Sequence, residues 1–134
     1  MFRLDKKKIF ILYRYYLLGY FPELSEGEDN EKTKDRIEWF NDVYTQEKSI
    51  SENISKKLNN GWSISRLPEL ERAILTFSIY EMSLEKNEYF LKVIMDQVVN
   101  FSKCYLDEKK YKYINKVLDL FLKEKFQIDK ESSF

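Results

Sequence analysis

Five cations fall within the first fourteen residues, Arg3, Lys6, Lys7, Lys8 and Arg14, against the single acid Asp5, and Tyr13 is set among them. A second basic group spans 103–125, where Lys103, Lys109, Lys110, Lys112, Lys116, Lys123 and Lys125 outnumber Asp107, Glu108, Asp119 and Glu124, again with tyrosines between. Lysine and arginine neutralise phosphate and tyrosine rings stack on unpaired bases, so this alternation suits single-stranded RNA. The same pattern also describes a solvated helix face whose tyrosines belong to the core.

Catalytic chemistry is poorly provided for. Glu69/Glu71 and Asp107/Glu108 are carboxylate pairs, but residues so close in a helix point in different directions and do not converge. There is no histidine, and Cys104 is the sole cysteine, so the usual metal ligands and the usual general base near neutral pH are missing. No phosphate-binding glycine loop or nucleophile elbow occurs, and no cofactor is expected. Cys104 stands among apolar helical positions and reads as a small core residue in a reducing compartment, with the cytoplasm as the natural location.

Helices must position these groups. Apolar residues recur at helical rather than alternating spacing, and only three glycines and two prolines interrupt 134 residues, which predicts an all-α single domain. The first helix is expected over 4–20, with Ile9, Leu12, Tyr13, Tyr16 and Tyr20 inward and Phe21-Pro22 as its stop. The acidic stretch 23–31 reads as a loop. Further helices are expected over 32–48 and through Ile50, Ile54 and Leu58 to the cap signal Asn59-Asn60-Gly61. The most apolar helix, from Ser65 to Glu85, holds Pro68 in its first turn and reads as central. Leu91 to Tyr105 and then 107–126 complete the set, with 127–134 as a frayed tail. Trp39 and Trp62 read as core anchors.

Composition agrees with one soluble core. The chain is 43% hydrophobic and 16% aromatic, too apolar for disorder, while 34% charged residues and a mean hydropathy of -0.57 argue against a membrane protein. The N-terminus looks superficially like a secretion signal, but Arg14 and the tyrosines break its apolar run. Net charge is zero, so any polyanion-binding surface must come from local segregation.

From Trp62 onward, the run WSISRLPELERAILTFSIYE resembles the NusB family of transcription antitermination factors. Trp62, Arg66-Leu67, Glu71-Arg72, Ala73-Ile74-Leu75 and Tyr80-Glu81 fill that family's places. The segment Lys112-Tyr113-Ile114-Asn115-Lys116-Val117-Leu118-Asp119 resembles its Asn-Gly-Val-Leu-Asp stretch, with Lys116 where the family has glycine. Arg3, Lys6, Lys7, Lys8 and Leu12-Tyr13 resemble its basic first helix. Asp5, Phe90, Asp96-Gln97, Ser102-Lys103 and Lys109 depart from the family pattern.

The resemblance implies about seven helices in two packed bundles, with neither catalysis nor cofactor. It implies binding of boxA-type nascent RNA jointly with the ribosomal protein NusE, in an antitermination complex on RNA polymerase and away from membranes. Carried over by position, Arg3, Lys6, Lys7 and Lys8 would meet phosphates, Tyr13 and Tyr113 bases, and Lys109, Lys112 and Lys116 would flank them. Glu71 would face the basic ribosomal partner. Two further readings stand beside this one: a helical protein-interaction module or homodimer, and a docking domain serving a separate ribosomal-RNA methyltransferase.

Overall fold

The computed structural model describes residues 2–23, 31–58 and 64–132, with side chains to 126. The described residues form six α-helices and a short 3-10 turn, with no strand. Helix α1 runs Lys6–Leu18. Asp5, one of the departures from the family pattern, caps its start by accepting the Lys7 N–H at 3.1 Å. The helix stops at Gly19 rather than at the expected Phe21-Pro22, because Gly19 takes the left-handed conformation (φ 72°) and donates its N–H to the Tyr15 carbonyl at 2.8 Å. Tyr20 therefore lies past the helix end and is exposed, not inward as its spacing predicts.

Helices α2 (Glu31–Thr45) and α3 (Glu47–Lys57) are separated at Gln46, close to the expected division. The 3-10 turn Ile64–Arg66 precedes α4 (Glu69–Leu84). Pro68 is thus at the boundary rather than inside the first turn, since the residue before a proline resists helical geometry. Helix α5 (Glu88–Tyr105) is capped by Asn87, whose side-chain oxygen accepts from the Tyr89 and Phe90 N–H groups at 2.9 and 3.3 Å. Phe90 fits this cap without the family's proline. Helix α6 (Glu108–Ser132) carries its helical backbone past residue 126. Trp62 and the expected Asn59-Asn60-Gly61 cap lie outside the described residues.

Helix α4 is central, as its composition predicts. Every residue from Ala73 to Tyr80 is buried, because α1, α3, α5 and α6 all pack against it. The hydroxyls this burial includes are satisfied: Thr76 accepts from the Tyr16 hydroxyl at 3.0 Å, and Ser78 donates to the Ile74 carbonyl at 2.5 Å. Trp39 of α2 is a core anchor, tilted against Phe77 and edge-on to Tyr80.

Two long-range brackets fix the ends. Gln97 of α5 accepts the Leu4 N–H at 2.7 Å and donates to the Phe2 carbonyl at 3.0 Å, tying down the segment before α1. Lys125 of α6 donates to the Met82, Ser83 and Glu85 carbonyls, closing the C-terminal end of α4 where a cation complements the helix dipole.

Cys104 is exposed, against the expectation of a core position. The buried stripe of α5 runs Leu91, Ile94, Val98, Phe101 and Ser102, and two residues past Ser102 is about 200° around the helix.

Candidate nucleic-acid interface

The basic start of α1 divides into two kinds of cation. Arg3, Lys6 and Lys7 are exposed. Lys8 is half-buried instead: its Nζ lies 5.3 Å from the Trp39 ring centroid and 3.9 Å from Glu81 Oε1, the same oxygen that accepts the Trp39 indole N–H at 2.9 Å. Burial pushes the Glu81 carboxyl above its usual range, and Lys8 and the indole partly pull it back. Lys8 therefore belongs largely to the junction of α1, α2 and α4.

On α6, Lys109, Lys112 and Lys116 are exposed and share one face with Tyr113 at three- and four-residue spacing. Lys112 pairs with Glu108 at 2.6 Å, a solvent-exposed contact that water and salt screen. Tyr113 and Tyr13 are both half-buried and packed against the core, so each offers part of a ring rather than a free face.

Glu71 is buried, with 6% of its surface exposed. Lys110 Nζ lies 3.7 Å from its Oε1, a charge contact longer than a hydrogen bond, and Oε1 has no hydrogen-bond partner among the described residues. Burial raises the Glu71 carboxyl above its ordinary value, with Lys110 opposing. Beside it, Arg72 lies 4.0 Å over the Tyr16 ring and 3.5 Å from Glu47, while its Nε is buried without a hydrogen bond. The N-terminal end of α4 thus holds two charged groups that the fold leaves incompletely satisfied.

The two cation groups are anchored at opposite ends of α4. Lys8 stands at Glu81 and Lys110 at Glu71, ten residues apart on one helix, or about 15 Å of axis. Cations missed in the sequence reading lie on α2: Lys32 and Arg36, one turn apart and facing α1. Their i, i+4 spacing was visible, but not which helix they would face.

The proposed carboxylate pairs separate. Glu69 is exposed while Glu71 is buried, and Asp107 caps α6 by accepting the Lys110 N–H at 3.0 Å while Glu108 holds Lys112. Among the described residues, no three His, Cys, Asp or Glu side chains gather to hold a metal. No described helix is long and apolar enough to cross a membrane.

A family model built on NusB sequences matches residues 12–123, most of the chain. The chain belongs to the NusB family. It is 36% identical over 129 residues to the transcription antitermination protein NusB of Aquifex aeolicus, covering 90% of this chain and 86% of that one. The NusB of Lactococcus lactis is 40% identical over 81 residues, which is 60% of this chain and 41% of that protein. That of Methylacidiphilum infernorum is 30% identical over 96 residues, 71% and 66% respectively. The chain therefore spans less than half of the Lactococcus protein and just under two thirds of the Methylacidiphilum one. A solved structure of T. maritima NusB shares the fold, with a TM-score of 0.66 at 22% identity, covering 95% of this chain and 99% of that one. The NusB fold thus supplies α4 as the spine on which both cation groups are hung.

Proposed function

We propose that this NusB-family protein is a cytoplasmic, non-enzymatic antitermination factor that binds boxA-type nascent RNA jointly with the ribosomal protein NusE, in a complex on RNA polymerase. Family membership carries this reading, through relatives named as transcription antitermination proteins. The geometry supports RNA binding in kind: exposed cations before and on α1 and on α6 suit phosphates. Arg3, Lys6 and Lys7 supply long-range attraction, and Lys109, Lys112 and Lys116 extend it beside Tyr113. Tyr13 contributes through a ring edge. Glu71 meets the basic ribosomal partner through the Lys110 side chain above it, which swings aside and leaves the carboxylate to a partner cation.

The test is anisotropy of a fluorescent boxA RNA titrated with the protein, with and without NusE, at two salt concentrations. Binding that NusE strengthens and that prefers boxA over a scrambled sequence is the expected result. Equal binding of both sequences with no effect of NusE would defeat the proposal.

A further inference from the structure

A cleft of about 670 Å³ opens between the outer face of α1 and the first turns of α2, closed at one end by residues Tyr20–Glu23. Helix spacing builds its walls: Lys7, Phe10 and Arg14 recur every three to four residues on α1, and Lys32 and Arg36 stand one turn apart on α2. Among the described residues, Glu23 is the only acid in the lining. Arg36 is already committed, donating from Nε and Nη2 to the two Asp5 oxygens at 2.8 and 3.3 Å. Among the described residues, Lys7 and Lys32 have no ion-pair partner, and Arg14 only overlies the Tyr20 ring at 5.2 Å.

The apolar side is equally specific. Tyr20 and Phe21 are 55% and 52% exposed. Phe21 is nonetheless held, with its ring set edgewise against Phe40 and Tyr44. Fixed aromatic surface and uncommitted cations thus share one concavity, whose volume falls in the range of about 300–1,000 Å³ used for small-molecule recognition. A purely apolar occupant would desolvate the cations without a counter-charge, and a bare anion would leave the rings in water. A flat aromatic group bearing a phosphate answers both.

We propose that this cleft seats one nucleotide of single-stranded RNA, its phosphates held by Lys7, Arg14 and Lys32 and its base laid on Tyr20 or Phe21. The proposal rests on the RNA reading above and adds to it a wall of α2 and the segment after α1. A strand whose phosphates meet Arg3 and Lys6 reaches Lys7 without leaving α1, which favours a strand over a free nucleotide.

The experiment uses Lys32→Glu and Tyr20→Ser, both at exposed positions, with Lys48→Glu on α3 as a charge-matched control and circular dichroism to verify folding. The probe is a labelled single-stranded boxA RNA at two salt concentrations. Lys32→Glu is expected to weaken binding about tenfold and lower the salt slope by about one to two, and Tyr20→Ser about fivefold, with the control unchanged. Wild-type binding with Lys32→Glu unaffected overturns the cleft assignment while leaving RNA binding intact. No binding by the wild type overturns both readings. A mononucleotide, UMP or AMP, that binds as tightly as the RNA and loses affinity in Lys32→Glu overturns the strand assignment in favour of a free nucleotide.

Discussion

Lys8 and Lys7 are neighbours in sequence with different duties. Lys8→Ala removes a half-buried cation from Glu81 and from the Trp39 ring and leaves Glu81 without its charge partner, so it is expected to cost about 1–2 kcal/mol in urea unfolding. Lys7→Ala, at an exposed position, should leave the unfolding midpoint unchanged. Equal midpoints for both variants would show that the Lys8 contacts contribute nothing. A second prediction concerns protons. Glu71 titrates above the ordinary 4.5 because burial disfavours its charge, with Lys110 in opposition. The folded protein therefore keeps this proton after the unfolded chain has released it, so its contribution to stability falls as pH rises from about 4.5 through the raised folded value and is flat beyond. Glu71→Gln should lose less stability than the wild type between pH 4 and pH 7. An identical loss in both would remove Glu71 as the cause.

At the level of single helices, α1 is held by its two ends. Asp5 caps its start and receives both donors of Arg36, so Asp5→Ala is expected to cost about 1–2 kcal/mol. Gly19→Ala should cost about 1 kcal/mol purely through the backbone: φ is 72°, and nothing lies within 4 Å of the added methyl group. Thermal unfolding of the two variants checks both, and a Gly19→Ala protein as stable as the wild type would mean the helix end had rearranged. Most of the helices were readable from apolar periodicity, because each buries one stripe against α4 or its neighbours. The ends of α1 and α4 were less readable, since both proline and glycine can stop a helix and local sequence does not rank them: Gly19 ended α1 ahead of Pro22, while Pro68 marked a boundary rather than a first turn. The exposure of Cys104 follows from the angular offset that a broad apolar pattern blurs. At the candidate interface, the cations could be counted in sequence but their partners could not. Lys8 meets Glu81 and Lys110 meets Glu71 only after distant helices pack, and Lys32 gains meaning only opposite α1.

Across the molecule, α4 unites these contacts, and Phe77 sits at its middle against Phe2 and Trp39 with none of its surface exposed. Phe77→Ala is expected to cost about 3–5 kcal/mol, a large part of the roughly 5–15 kcal/mol that holds a domain of this size together. The urea midpoint should fall sharply, and a shift under about 1 kcal/mol would mean that the site collapses around the smaller side chain. The bracket formed by Gln97 carries a consequence for synthesis on the ribosome. The segment that bears Arg3 is synthesised more than ninety residues before the Gln97 side chain that tethers it. Until α5 leaves the exit tunnel, the basic N-terminal segment has no fixed seat, and a nascent chain stalled before residue 97 presents its cations without the geometry that the finished protein gives them.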